Sequence, residues 1–126
     1  MIVMKFGGTS VGIPEHFTVA TKLVAVRAPR DPVVVVSALA GITNLLVEFC
    51  RSTVGRPELA QQVEARHLEF ARRVEVPSAK LEPLLRAWQF EAAAWLGSHQ
   101  VVAGADRDRV LSFGERLSAE LFAAGL

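Results

Sequence analysis

The sequence predicts an α/β fold built on a mainly parallel sheet. Two short apolar runs, residues 1–4 and 33–36, each lead into a turn of small residues and then into a segment of helical periodicity. A strand, a crossover helix and a second strand make a βαβ unit whose two strands are parallel. The turns that follow parallel strands lie at the carboxyl edge of the sheet, where open α/β sheets bind ligands. We therefore expect the functional residues in these turns.

The first turn has the composition of a phosphate site. The sequence Lys-Phe-Gly-Gly-Thr-Ser-Val occupies residues 5–11, directly after the first apolar run. Gly7 and Gly8 lack Cβ atoms, so an anion can approach their backbone N–H groups closely. Lys5 adds positive charge, and Pro14 is suited to the first turn of a following helix. An ordinary βα turn with a solvated lysine is the alternative, and the glycine spacing does not decide between them.

A second turn of similar composition follows the second strand. The β-branched run 33–36 is typical of a strand buried on both faces of a parallel sheet. The segment 37–44 (Ser-Ala-Leu-Ala-Gly-Ile-Thr-Asn) then leads into a helix. Ser37, Thr43 and Asn44 place short polar groups beside the N-terminus of that helix, which favours a carboxylate or phosphate. Alternatively, Thr43 only caps the helix.

The middle of the chain predicts helices without visible chemistry. Pro57 and Pro83 are suited to the first turns of two helices, and Asp106 or Asp108 can cap a third. His67 lies on an apolar stripe, which indicates a packed histidine rather than a ligand. The apolar face of the first helix consists of Leu59, Val63, His67, Phe70 and Val74. The apolar face of the second helix consists of Leu81, Leu84, Leu85, Trp88, Ala92 and Trp95.

The last helix contains an unexpected glycine followed by a glutamate. Gly114 in a helix interior costs about 1 kcal/mol relative to alanine, so we expect another backbone or a ligand to approach it closely. Glu115 could present its carboxylate to a cationic group. The alternative for Glu115 is a surface ion pair with Arg109 or Arg116.

The composition is that of one soluble α/β domain in a reducing cytoplasm. With 14 basic and 13 acidic residues, the net charge of +1 gives no reason to expect a nucleic-acid or membrane partner. A single cysteine, Cys50, predicts a buried thiol rather than a disulfide. No membrane-spanning run, secretion signal, Walker A loop or protein-kinase loop is recognisable. His16 and His99 show no metal-ligand spacing, so no metal site is expected.

Four segments together resemble one enzyme family. They are 5–11, 34–38 (Val-Val-Val-Ser-Ala), 41–46 (Gly-Ile-Thr-Asn-Leu-Leu) and 111–118 (Leu-Ser-Phe-Gly-Glu-Arg-Leu-Ser). In this order and spacing they closely resemble the amino-terminal part of aspartokinases, within the amino-acid kinase superfamily. The resemblance implies a three-layer αβα sandwich with a mainly parallel sheet, of which residues 1–126 would be the amino-terminal part of the catalytic domain.

The resemblance also implies a reaction and its cofactors. Aspartokinases transfer the γ-phosphoryl group of ATP to L-aspartate, giving 4-phospho-L-aspartate for lysine, threonine and methionine biosynthesis, with Mg²⁺ neutralising the nucleotide. Lys5 is similar to the catalytic lysine that contacts the transferring phosphoryl group. Gly7, Gly8 and Ser10 are similar to residues that bind the ATP phosphates.

On the substrate side, the resemblance implies three contacts. Thr43 is similar to a residue that contacts the substrate aspartate, and Glu115 is similar to the residue that holds its α-ammonium group. Ser37 is similar to a serine between substrate and phosphate. The alternatives are another amino-acid kinase, such as one acting on glutamate, and a non-catalytic module for oligomerisation or partner binding.

The family pattern continues beyond what this chain contains. Aspartokinases add a Gly-Arg-Gly-Gly-Ser-Asp-type segment, a nucleotide lobe and regulatory ACT domains, so the sequence is interpreted as a fragment that is inactive alone. A sheet of about three strands with one uncovered side should expose apolar surface, in line with the mean hydropathy of +0.31. We therefore expect a homo-oligomer.

Overall fold

The computed structural model describes the backbone of residues 1–126 and every side chain except that of Thr9. Its helices and strands, in chain order, are β1 (Ile2–Phe6), α1 (Gly8–Val11), α2 (Pro14–Arg27), β2 (Pro32–Val36), α3 (Ile42–Arg51), α4 (Arg56–Arg73), α5 (Glu82–Ala93) and α6 (Gly104–Gly125). Single 3₁₀ turns at Ala28–Arg30 and Ser78–Lys80 complete the connections. The arrangement is α/β, as the sequence predicts.

The two strands form a parallel pair. β1 and β2 align from Ile2 opposite Pro32 to Phe6 opposite Val36, and α2 makes the crossover between them. The βαβ unit is therefore confirmed. In the described residues the sheet has two strands, where about three were expected. β1 also runs two residues further than its apolar segment, so that Lys5 lies in the strand.

Only one face of the sheet is covered. Phe6 and Val34 pack against the helical core, whereas Val3, Val33 and Val35 on the opposite face are 68%, 48% and 46% exposed. The prediction that the run 33–36 is buried on both faces is wrong for this chain. The physical reason is that the described elements packed on the sheet cover the side of Phe6 and leave the other face to solvent.

Aromatic contacts join the sheet to the helices. The Phe122 ring of α6 lies 5.6 Å from Phe6 in β1 and 5.6 Å from Phe17 in α2. A second group forms around Trp88, whose ring lies 5.4 Å from both Phe49 and Phe113. Such tilted and edge-to-face pairs add to the burial that stabilises the core. Trp88, predicted on the apolar face of its helix, is fully buried in the core.

The prolines mark helix starts, as predicted. Pro14, Pro57 and Pro83 each occupy one of the first two positions of α2, α4 and α5. A missing N–H costs nothing at these positions, because the first amides of a helix have no partner within it.

The predicted cap of α6 is wrong. This helix begins at Gly104, ahead of both Asp106 and Asp108, and its N-cap residue Ala103 makes no side-chain hydrogen bond. Asp106 instead forms an ion pair with Arg109 one turn later. Val102, two residues before the helix, donates its amide to the Cys50 carbonyl oxygen at 2.9 Å, which ties the chain ahead of α6 to the end of α3.

His67 is a packed core histidine, as predicted. Its side chain is fully buried, and Nδ1 donates to the Val63 carbonyl oxygen at 2.6 Å. Nε2 has no hydrogen-bond partner among the described residues. Burial lowers the pKa of His67, and the nearby charge of Arg66 lowers it further, while the hydrogen bond to Val63 acts in the opposite direction.

This burial predicts a pH-dependent stability. Below about pH 6.5, unfolded chains protonate His67 while the folded protein resists doing so, so the free energy of unfolding should fall as the pH decreases. Replacing the histidine in a His67→Phe variant should remove this part of the acid destabilisation. Urea unfolding of both proteins from about pH 8 to about pH 5 measures this difference in the free energy of unfolding. Parallel pH profiles for the two proteins would contradict the assignment of the acid destabilisation to His67.

Candidate functional site

Three segments that are distant in the sequence meet at Ala38. This buried residue lies two positions after the end of β2. A Cβ atom added to Gly8 would lie 3.5 Å from the Ala38 carbonyl oxygen. A Cβ atom added to Gly114 would lie 3.0 Å from the Ala38 Cβ. The turn after β1, the turn after β2 and the middle of α6 are therefore packed together through residues that carry at most a methyl group.

Gly114 allows α6 to pack closely on α3. Its missing Cβ would also lie 3.3 Å from Leu46 Cδ1 and 3.7 Å from Ile42 Cγ2. A close approach is present at this glycine, and the described atoms nearest to it belong to side chains and not to another backbone, which had been one expectation. Since a Cβ atom here would crowd Ala38 and Leu46, the glycine permits the close packing of α6 on α3.

Gly12 performs a similar role that the sequence analysis missed. A Cβ atom here would lie 2.3 Å from the Gly8 carbonyl oxygen and 2.4 Å from the Ala40 amide nitrogen. The two turns thus touch through backbone atoms at this point. The available signal was a third glycine four residues after Gly8, close to a chain stretch already assigned to a turn.

The three predicted substrate residues flank these contacts. Ser37 precedes Ala38, is half-buried, and donates its amide to the Phe6 carbonyl at 3.0 Å. Thr43 is the second residue of α3 and is exposed, and Glu115 follows Gly114 and is exposed. Because each is the chain neighbour of a residue packed in the Ala38 region, the fold brings together the three segments that carry them.

The alternative that Thr43 caps α3 is wrong. The N-cap residue is Gly41, which adopts a left-handed conformation with φ of 82° and has no side-chain cap. The Thr43 hydroxyl makes no hydrogen bond to any described residue. It is therefore free to contact a ligand at the positive end of α3.

The alternative ion pair of Glu115 is also wrong. Arg109 Nε donates instead to Glu91 at 2.8 Å, and Arg109 also pairs with Asp106. The Arg116 guanidinium lies over the Phe113 ring, 4.5 Å from its centroid. Glu115 has no hydrogen-bond or ion-pair partner within the described part of the chain, so its carboxylate is available.

The residues predicted to bind the phosphates do not all lie together. Lys5 lies opposite Val35 on the exposed face of the sheet and has no described partner. Gly7 is exposed, with open space around the position a Cβ would take. Ser10 lies apart from them, with Phe6 beside a groove of about 230 Å³ at the start of α2.

A larger cleft of about 420 Å³ lies beside the same turns. Its walls include Gly12, Ala40 and Ile42 from the turns and Arg66 and Phe70 from α4. None of the predicted site residues lines it. Lys5, Gly7, Thr43 and Glu115 are exposed outside this cleft.

The described residues contain no group of three or more His, Cys, Asp or Glu side chains placed to hold a metal ion. None of the helices described is both long and apolar enough to cross a membrane. Cys50 is a free, buried thiol, as predicted, and burial raises its pKa.

The fold and the composition of these turns define a class of kinase. The family model described as "Amino acid kinase family" matches residues 1–126, and the chain belongs to that family. The relatives that it matches within this family include an aspartokinase of Chlamydia pneumoniae, which is 35% identical over 124 residues. That match covers 98% of this chain and 26% of the relative.

Solved structures give the same result. E. coli aspartokinase III in complex with aspartate and ADP (R-state) matches with a TM-score of 0.77 and 30% identity, over 99% of this chain and 28% of that one. The same enzyme with lysine and aspartate (T-state) matches with a TM-score of 0.80 and 28% identity, over 100% of this chain and 28% of that one. The amino-acid kinase fold is therefore confirmed, and the chain spans about a quarter of the length of these relatives.

Two glycines of the first turn should respond differently to alanine. Gly7 has φ of −76° and open space, so a Gly7→Ala variant should keep its stability or gain up to about 1 kcal/mol. Gly12→Ala forces Cβ against two backbone atoms and should lose about 1–3 kcal/mol. Urea unfolding measures the stability of both variants. Equal stabilities would show that the turns do not touch at Gly12.

Proposed function

We propose that this chain supplies the aspartate-binding and phosphate-contacting part of an aspartokinase. The reaction would transfer the γ-phosphoryl group of ATP to the β-carboxylate of L-aspartate, giving 4-phospho-L-aspartate, an early step toward lysine, threonine and methionine. The observation that carries the proposal is the convergence on Ala38 of the segments bearing Ser37, Thr43 and Glu115. The E. coli relative solved with aspartate and ADP supports the choice of substrate.

The free polar groups suit an amino-acid substrate. Glu115 would bind the α-ammonium group, because a carboxylate without a protein partner is a ready counter-charge. Thr43 would donate its hydroxyl to a substrate carboxylate beside the N-terminus of α3. Ser37 would lie between the substrate and the phosphoryl group.

The phosphate side depends on one lysine and an open turn. Lys5 would contact the transferring phosphoryl group, and Gly7 and Gly8 would offer their backbone amides to the ATP phosphates. Neither the conformation of Gly7 nor its packing requires glycine there, which supports close approach of a ligand as the reason for the residue. Ser10 is assigned to the phosphates with less support, since it lies beside a separate groove.

The chemistry needs position and charge more than acid–base catalysis. The β-carboxylate of aspartate is ionised at neutral pH and can attack the γ-phosphorus directly, releasing ADP. What the protein must provide is alignment of the two substrates and positive charge against the phosphoryl oxygens. Mg²⁺ enters this proposal as the counter-ion of the nucleotide, and no residue of this chain is assigned as its ligand.

The role of Lys5 is tested by turnover. In the complete protein, Lys5→Ala should lower kcat about 100-fold or more, because the lost charge acts mainly in the transition state. Lys5→Arg should not restore the rate, since a planar guanidinium differs in shape from a compact ammonium. A hydroxamate assay for the acyl phosphate measures both, with the isolated 126-residue chain, which we expect to be inactive, as the blank.

The matched control for Lys5 is Lys22→Ala, which removes another exposed lysine from α2. It should leave turnover unchanged. Near-normal kcat in Lys5→Ala would leave Lys5 as a surface charge and exclude its catalytic role.

The roles of Glu115 and Thr43 are tested by separating the two Michaelis constants. Glu115→Gln keeps the side-chain shape and loses its charge, and Thr43→Val loses a hydroxyl at similar volume. Each should raise KM for L-aspartate about tenfold or more while KM for ATP changes less than about twofold. Glu120→Gln, at another exposed position of α6, is the control. A change in the ATP constant alone would contradict the assignment, and a preference for L-glutamate would indicate the other kinase.

A further inference from the structure

Arg56 is a buried cation that the proposed reaction does not use. Its side chain is 1% exposed at the first position of α4. All five of its N–H donors are engaged by backbone carbonyl oxygens. The acceptors and distances are Phe49 at 2.9 Å, Cys50 at 3.3 Å, Trp95 at 3.2 Å, Ser98 at 3.1 Å and Gln100 at 2.6 Å.

The charge of Arg56 is stabilised without a carboxylate. No acidic side chain of the described residues pairs with it. Its hydrogen bonds to the five carbonyl oxygens therefore replace those that the guanidinium would make with water. Phe49 and Cys50 lie in the last turn of α3, where carbonyl groups lack helical partners and the helix dipole is negative. The Phe49 ring, 5.6 Å from the guanidinium carbon, adds a cation–π contact.

The guanidinium ties two separate parts of the chain together. One side holds the C-terminal end of α3, and the other holds the loop between α5 and α6. The same loop is joined to α3 by the hydrogen bond from the Val102 amide to the Cys50 carbonyl, 2.9 Å long. Because this loop leads directly into α6, Arg56 links the start of α6 to the end of α3.

These two helices carry the proposed aspartate contacts. Thr43 lies about 10 Å along α3 from Cys50, and Glu115 lies about 17 Å along α6 from its first residue. Near the site, the helices are held together by the contact of Gly114 with Ile42 and Leu46. At the opposite end, Arg56 makes the corresponding connection. The helix pair is thus linked directly near the site and through Arg56 and the loop at the opposite end.

We propose that Arg56 is a positioning residue for the aspartate subsite, setting the separation of Thr43 and Glu115 through its hold on α3 and on the loop before α6. The inference rests on the proposed function for the identity of the substrate. Lysine is a poor substitute, because its three donors cannot reach five carbonyl groups arranged around a planar fork.

Kinetics of the complete protein provide the first test. Arg56→Lys should raise KM for L-aspartate about tenfold, with KM for ATP and kcat within about twofold of the parent. In a Glu115→Gln background the same change should add less than about twofold, because the ammonium contact that it positions is already lost. Equal rises in both Michaelis constants, or fully multiplicative effects in the double variant, would overturn the proposal.

The control for charge and location is Arg51→Lys. Arg51 lies five residues earlier at the end of α3, is exposed, and pairs with Glu48 at 2.5 Å. This variant should behave as the parent. Should Arg56→Lys fold poorly, Ser98→Ala provides a milder change, because it removes the hydroxyl that accepts the Gln100 amide at 3.1 Å and loosens the same loop. It should raise KM for aspartate in the same direction, and an unchanged value would count against the proposal.

Hydrogen exchange provides a test that does not depend on the substrate. Arg56→Lys should speed exchange at the amides of residues 95–103 and also at those of 112–116, around Glu115. Faster exchange confined to 95–103 would refute the positioning role while leaving the proposed reaction intact. A parent protein that forms no aspartyl phosphate would refute the proposed reaction, and the exchange data would still report on Arg56.

Discussion

The structure depends on close packing of small residues at the carboxyl edge of the sheet. Ala38 contacts the positions of Gly8 and Gly114, and the backbone around Gly12 meets that of Ala40. A Cβ atom at Gly12 would collide with the backbone, and one at Gly114 would crowd the Ala38 and Leu46 side chains, so these two positions permit a close approach that a larger residue would disturb. Gly114 destabilises the interior of α6 by about 1 kcal/mol relative to alanine, and its missing side chain permits this contact.

The same packing organises the chemistry. Ala38 and Gly114 are buried in the contact, while Thr43 and Glu115, close to them along the chain, are exposed, and Ser37 is half-buried. Arg109, on the same helix as Glu115, is engaged with Glu91 and Asp106. A carboxylate and a hydroxyl without partners therefore lie where a rigid scaffold positions them. This is the arrangement that binding and alignment of a small charged substrate require.

Buried and surface arginines contribute differently to the stability of this molecule. Surface pairs within one helix, such as Arg72 with Glu69 and Arg86 with Glu82, are solvated and screened, so each contributes little to stability. Arg56 instead connects elements that are distant in sequence, and it is buried from the solvent that could replace a lost partner. Its removal would leave backbone carbonyl groups buried without donors, which is costly because their desolvation is not compensated.

The sequence alone determined the features that depend on short-range order. Proline at helix starts, the apolar stripe through His67, the strand–turn–helix repeats and the motif order at 5–11, 41–46 and 111–118 are all local patterns, and steric and periodic rules are enough to interpret them. They led to the α/β class, the family and the candidate site residues.

Only the tertiary structure decided which surfaces meet. The sequence pattern of 33–36 could not show that one face of β2 is uncovered, because a β-branched run looks the same whether or not a neighbour packs on it. Likewise, Gly12 and Arg56 look ordinary in the sequence, since their partners Ala40 and Gln100 lie 28 and 44 residues away. Contacts between distant segments follow from the packing of the whole chain, and no local pattern encodes them.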